Sequence, residues 1–253
     1  METVCYQGGN QVGIIRLNRP KVMNAINEEM ILDLVSALKA AQDEKTVRVI
    51  ILKGEGKAFS AGADLKTSVK TRTLDEHREF AKLIQSIPRT FASLFKPTIA
   101  AVHGYALGGG CGLAISCDIR IAAEGTKFGF PELKIGGTIA QAATFMLPRL
   151  IGMAKAKEMF FTGEMIDAIE AERIGLVNKV VPIQKLDNEA MQLARKIAGN
   201  FPLSVQLAKT CVDGGLESSL NTVLQAELDA HCIAFVSGSR AVGMAKAIKK
   251  NEM

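Results

Sequence analysis

Residues 97–132 read PTIAAVHGYALGGGCGLAISCDIRIAAEGTKFGFPE, and the succession of residue types along them decides the fold. Thr98 to Val102 is apolar with little alternation, as expected of a strand in a parallel sheet covered on both faces. Gly104 and the triplet Gly108-Gly109-Gly110 follow, and the small residues Cys111 to Ser116 read as a helix. A glycine triplet at a helix start leaves backbone N–H groups unpaired and lets a ligand come close to them. Those amides stand at the positive end of the helix dipole, so they suit an oxygen that gains negative charge. Asp118 to Ala123 reads as a second strand, and the loop after it carries Phe130-Pro131-Glu132. Among Phe128, Phe130 and Leu133, the Glu132 carboxyl is expected to lose solvent and its pKa to rise. An anion hole beside a lone acid suits proton chemistry next to a carbonyl.

Toward the N-terminus, Val4–Gln7 and Val12–Leu17 read as two strands joined by the turn Gly8-Gly9-Asn10. Asn27 is placed to cap a helix whose first turn holds Glu28 and Glu29. Ile31, Leu34, Val35, Leu38 and Ala41 give that helix an apolar stripe. Val47–Leu52 is a β-branched strand, so strand–helix–strand order implies a right-handed crossover and a parallel sheet. The segment 57–66, KAFSAGADLK, leaves this strand through a glycine turn, where backbone amides make a ligand site in an open α/β sheet. Residues 67–74 are polar and read as a mobile loop. Asp75–Phe95 reads as a helix that Pro88 kinks or splits. Its apolar side, Phe80, Leu83, Ile84, Ile87, Phe91, Leu94 and Phe95, faces the core, and some of these phenylalanines can also wall an apolar substrate pocket.

Beyond Gly136-Gly137 the sequence is almost wholly helical, with helices expected at 140–147, 153–161, 167–173, 183–199, 203–212, 217–236 and 239–250. Val177–Val181 reads as an extended link ending at Pro182. A composition shift near residue 190 separates a core, 1–190, from a helical C-terminal region, 191–253, that packs on the core or on another subunit.

The chain has 253 residues, 48% of them apolar and 23% charged, as in an ordinary globular protein. It contains no apolar run of membrane-spanning length and no signal-peptide pattern, so the expected location is cytoplasmic. Cys5, Cys111, Cys117, Cys211 and Cys232 are scattered, which reads as reduced thiols and not as a zinc site or disulfide frame. The formal charge of +5 can draw in an anionic ligand or reflect a plain basic surface. No basic block is interleaved with aromatics and tryptophan is absent, so nucleic acid is not the leading partner.

The segments AFSAGADLK (58–66), AAVHGYALGGGCGLAISCDIRIA (100–122) and FGFPELKIG (128–136), in this order and spacing, resemble the enoyl-CoA hydratase/isomerase (crotonase) family. LNRPKVMNAIN near the start and FTGEMIDAIEAERIGLVNKVVP at 161–182 extend the resemblance over nearly the whole chain. It implies an α/β fold, a spiral of ββα units with a helical C-terminal trimerisation region, assembled as a homotrimer or dimer of trimers. It implies an acyl-CoA substrate, with no cofactor beyond the coenzyme A moiety and no metal. The Ala63 and Gly109 N–H groups would form the oxyanion hole and Glu132 would be the acid/base. Coenzyme A would lie on Ala61, Ala63, Asp64, Leu65, Lys66 and Gly109, while the Asp64 side chain itself reads first as a helix N-cap.

The chain departs from the two-acid hydratase pattern of that family. The second glutamate matches Glu132, but the first falls on Gly112, which has no side chain. A third carboxylate position falls on Ala140; Gln141 beside it is polar but no acid. Ile139 and Ala142-Ala143 replace the proline and paired glycines of many members. One carboxylate suffices for a 1,3-proton shift, whereas water addition is easier to arrange with two. The expectation is therefore 3-enoyl- to 2-enoyl-CoA isomerisation, with 2-enoyl-CoA hydration as alternative, then decarboxylation or hydrolysis, or RNA binding by a family member. His103 reads as a structural hydrogen-bonding residue and His77 as solvent-facing. His231 lies on the stripe Leu220, Leu224, Leu228, His231, Phe235 and is expected to be at least partly buried. Lys246, Lys249 and Lys250 are either a solvated basic helix end or contacts for coenzyme A phosphates.

Overall fold

A computed structural model describes residues 2–68 and 72–251. The chain forms strands β1 (Val4–Gln7) and β2 (Val12–Leu17), helix α1 (Glu28–Asp43), β3 (Val49–Gly54), α2 (Leu65–Ser68), α3 (Leu74–Ala92) and β4 (Thr98–Val102). Then come β5 (Tyr105–Leu107), α4 (Gly109–Ser116), β6 (Ile119–Ala123), β7 (Lys127–Gly129), α5 (Ala143–Ile151), α6 (Met153–Thr162) and β8 (Ile166–Asp167). The rest is α7 (Ala168–Arg173), β9 (Lys179–Val181), α8 (Leu186–Ala198), α9 (Pro202–Gly215), α10 (Leu220–Val236) and α11 (Ser239–Asn251).

Six strands form one sheet in the order β1-β2-β3-β4-β6-β9, antiparallel only at the β1–β2 hairpin. Ile14, Ile51, Ile99 and Ile119 stand in one row across four parallel strands. Ile50, Leu52, Ala100 and Val102 point to the face filled by α1, α3 and α4, whose Leu34, Leu38, Phe91 and Leu113 are buried with them. Val49, Ile51, Ile99 and Ala101 point the other way, onto Leu186, Ala190, Ala194 and Ala198 of α8. Coverage on both faces explains why β3 and β4 are apolar without alternation. A second, three-stranded sheet, β5-β7-β8, stands beside the first. The pairs β4–β5 and β6–β7 each send one strand to each sheet before the chain enters a helix, while β1 and β2 both stay in the first, and the whole is the crotonase spiral expected from the resemblance.

Several expectations are corrected. The strand expected at 47–52 runs from Val49 to Gly54, because Val47 belongs to the turn, donating its N–H to Glu44 O. Pro88 does not split α3, which continues through it to Ala92. Helix α3 starts from a reciprocal cap in which Thr73 and Glu76 bond each other's backbone N–H. Phe95 lies beyond that helix and is exposed, so it does not face the core. Residues 67 and 68 of the expected mobile loop belong to α2 and Leu74 starts α3, while 69–71 lie outside the described residues. The link at 177–181 contains a true strand, β9, paired to β6 through Ile121, Ala122 and Ala123. Helix α5 begins at Ala143, not Ala140, because Gln141 and Ala142 have φ of 57° and 55°, which no helix accommodates.

Residue 190 lies inside α8. The later helices rest on one another, α9 on α10 and α10 on α11. Lys209 ties α9 to the sheet through an ion pair with Asp118, which also accepts hydrogen bonds from Thr98 N and Oγ1 at 2.7 and 2.8 Å. His231 is exposed in the single chain, contrary to expectation, and pairs with Arg240 at 3.1 Å. The stripe around it, Leu220, Leu224, Leu228 and Phe235, is exposed too, since none of the described residues covers it. The side chains of Lys246, Lys249 and Lys250 lie outside the described residues.

Candidate active site

Two backbone turns meet at the N-terminus of α4. The first, 58–64, is stitched along β5: Phe59 N donates to His103 O, Ser60 N to Tyr105 O, and Leu107 N back to Ser60 O. Its other side is held by residues 23–26, with Ala61 N donating to Met23 O, Ile26 N to Gly62 O and Asp64 N to Ile26 O. Buried Asn24 fixes this second support by donating to Glu55 O and Ala58 O at 2.9 and 2.8 Å. Ala63 is the gap in the stitching, since its N–H donates to no described protein acceptor.

The second turn is the glycine triplet. Gly108 N donates to Gly129 O and the first helical bond runs from Gly112 N to Gly108 O, so the Gly109 N–H at the start of α4 has no acceptor among the described residues. Gly62 has φ of 89°, and a Cβ there would lie 3.3 Å from Gly109 N and collide with the Leu107 carbonyl. The two turns are thus packed backbone to backbone, which brings the Ala63 segment against Gly109. Both features were legible as glycine turns; their contact was not.

Glu132 follows β7 in a 3-10 turn, Pro131–Ile135, closed by Gly136 in the left-handed region. Its carboxylate lies over Gly108: a Cβ on Gly108 would be 2.9 Å from Glu132 Cδ, and closer still to one oxygen. Burial raises the Glu132 pKa, against a smaller opposing backbone hydrogen bond. Burial also pushes the Cys111 thiol up to about 12, with the nearby Glu132 charge adding to it. The desolvated acid expected from the sequence is therefore present, and it sits against the helix start that carries the unpaired amides.

The remaining residues divide by exposure. Ala63, Leu65 and Lys66 are exposed and Ala61 is half-buried along the lip of the first turn. Asp64 is buried; Oδ1 accepts from Lys66 N at 3.1 Å, capping α2, and Oδ2 pairs with Arg19 at 2.9 Å. The N-cap reading of its side chain holds, and Arg19 is a partner that sequence reasoning missed. His103 bonds Gly56 O at 2.9 Å, a structural role as expected, and His77 is exposed. Among the described residues no group of three or more His, Cys, Asp or Glu is placed to hold a metal ion.

Gln141 is the residue that sequence reasoning undervalued. It is only 5% exposed, and its carboxamide lies over the face of α4 that Gly109 and Gly112 leave bare. A Cβ on Gly112 would be 2.7 Å from Gln141 Oε1, and one on Gly109 would be 3.0 Å from Nε2. The only hint in the sequence was a polar residue next to a position where relatives place an acid.

This arrangement matches known proteins. The family described as enoyl-CoA hydratase/isomerase matches residues 7–252. The chain belongs to that family. It is 38% identical to a crotonyl-CoA hydratase of Syntrophomonas wolfei, over 99% of this chain and 96% of that one. It is also 38% identical to a short-chain-enoyl-CoA hydratase of Clostridium acetobutylicum, over 100% and 97%. The crystal structure of an enoyl-CoA hydratase from Bacillus anthracis superposes with a TM-score of 0.94 at 36% identity, covering 98% of this chain and 96% of that one. Membership makes the chain an enzyme of lyase or isomerase type acting on acyl-CoA thioesters, with the crotonase fold. It also shifts the balance between the two expected reactions: these relatives are named hydratases, so hydration is better supported than the isomerisation preferred from the lone acid.

Proposed function

We propose that the chain adds water reversibly across the double bond of a 2-enoyl-CoA, using Glu132 as its one acid/base and the Ala63 and Gly109 N–H groups as the oxyanion hole. The observation that carries the proposal is the desolvated Glu132 carboxylate over Gly108, one residue from the free Gly109 amide. The names of full-length relatives support water as the reactant. The Glu132 carboxylate takes a proton from water while the water oxygen bonds to the β-carbon. The π electrons move onto the thioester oxygen between the two amides. The enolate then takes that same proton from Glu132 at the α-carbon, so one water is added and the enzyme is unchanged. Each amide donor is worth about 3 kcal/mol to such an oxyanion.

In this reading coenzyme A lies along Ala61, Ala63, Asp64, Leu65, Lys66 and Gly109, through backbone groups where Asp64 is concerned. No cofactor beyond the substrate's own coenzyme A is required. The exposed stripe on α10 supports residues 191–253 as the segment that joins subunits into a trimer or a dimer of trimers. Among the described residues no helix is long and apolar enough to cross a membrane, and five free cysteines fit a reducing, cytoplasmic setting.

Isomerisation is the second reading, favoured by one fact: Gly112 offers no second carboxylate. A coupled assay on 2-enoyl- and 3-enoyl-CoA, with Glu132→Gln alongside, tests both. Hydration of the 2-enoyl ester, lost in the variant, is the expected result. Conversion of the 3-enoyl ester without hydration would hand the site to the isomerase reading.

A further inference from the structure

We propose that Gln141 supplies the water-holding group that Gly112 lacks, so that one carboxylate and one carboxamide share the work of hydration. This rests on the hydration reading above and deepens it. Two buried side-chain oxygens among the described residues have no hydrogen-bond partner, and they are Glu132 Oε2 and Gln141 Oε1. Both side chains press on the first turn of α4, Glu132 over Gly108 and Gln141 across Gly109 and Gly112. Buried acceptors left unpaired are costly, so two of them at one helix start point to a donor that arrives with the reaction.

The chemistry selects the donor. Water offers two O–H groups, one for each orphan oxygen. A carboxamide oxygen accepts a hydrogen bond but takes no proton at neutral pH, whereas a carboxylate does both. Gln141 therefore holds and aims the water, and Glu132 removes its proton and delivers it to the α-carbon. A 1,3-proton shift uses no water and gives Gln141 Oε1 nothing to accept. The local backbone shows that the glutamine is held in place: φ is 57° at Gln141 and 55° at Ala142, and Ala143 N closes the turn onto Ala140 O at 3.2 Å. The bare Gly112 then has a reason, since any side chain there would displace the carboxamide.

The test separates hydration from enolate formation. Hydration of a short 2-enoyl-CoA is compared with exchange of the α-protons of the matching saturated acyl-CoA in D2O, a reaction that needs Glu132 and the two amides but no attacking water. Gln141→Leu is expected to lower the hydration rate about 30-fold or more while exchange stays within about threefold. Gln141→Glu, nearly the same in shape, is expected to keep hydration and add a second ionisation to its pH profile. The proposal is overturned if Gln141→Leu hydrates at the parent rate, or if it loses hydration and exchange together, as a structural role would demand. A parent enzyme that exchanges but does not hydrate also overturns it. A parent enzyme that does neither overturns the hydration reading itself, and this proposal with it.

Discussion

Helix α4 and the long face of α10 are both apolar in sequence, yet the chain treats them in opposite ways. Cys111, Leu113, Ala114 and Ile115 are at most 1% exposed, enclosed by strands and helices of the same chain. Leu220, Leu224, Leu228 and Phe235 are each more than half exposed. Periodicity says that an apolar face needs covering; it does not say what covers it. At α4 the cover is internal, and the helix start is pinned against Glu132, Gln141 and the Gly62 turn. At α10 none of the described residues covers the face, and His231, expected to be partly buried, lies open beside Arg240.

The contrast can be broken most sharply at the glycines. Gly108 has φ of 51° and faces the Glu132 carboxylate, so Gly108→Ala both strains the backbone and pushes the acid aside. Loss of about 1–3 kcal/mol in denaturant melts, with activity down at least about 100-fold, is the expected outcome. Gly214, in the last turn of α9, meets nothing within 4 Å of an added Cβ. Gly214→Ala is expected to leave activity alone and to raise stability by up to about 0.5 kcal/mol.

A mid-sized effect should come from the open face. Leu224→Glu with Leu228→Glu places charge on a stripe that we assign to subunit contact. Sedimentation should show a smaller particle than the parent, with the monomer's helical content retained. A parent protein that already sediments as a monomer would contradict the assignment of residues 191–253.

The smallest effect is on stability and follows from the sign of one pKa shift. The folded protein holds the Glu132 proton more tightly than the unfolded chain does, because burial raises the pKa. Its stabilising contribution is complete below the unfolded value and is lost as pH rises through the folded one. Glu132→Gln removes that loss. Its melting temperature should exceed the parent's by a few degrees, about 2–4 °C per kcal/mol for a chain of this size, at pH 8, and by less near pH 5. An equal gain at both pH values would show that the carboxyl is not desolvated.

Much of this was legible before any coordinates. The hairpin, the buried strand β4, the glycine helix start and the desolvated Glu132 all follow from local pattern, since each depends on residues a few positions apart. The second sheet was not legible, because β5, β7 and β8 are two or three residues long and their pairing joins positions 22 to 40 residues apart. The split at Pro88 did not occur because the helix accommodates the proline, and the start of α5 was misplaced because Gln141 and Ala142 adopt a left-handed backbone normally left to glycine. Gln141 was passed over for the same reason: its importance lies in filling the space over Gly112, a contact across 29 positions that spacing alone does not reveal.

The most direct test of the central claim, that one desolvated acid beside two free amides enolises a CoA thioester, is α-proton exchange of a saturated acyl-CoA in D2O, followed by mass. Steady exchange by the parent, reduced about 1000-fold or more in Glu132→Gln, is the result this account predicts. Exchange at the parent rate in the variant would contradict it and take the proton chemistry away from Glu132.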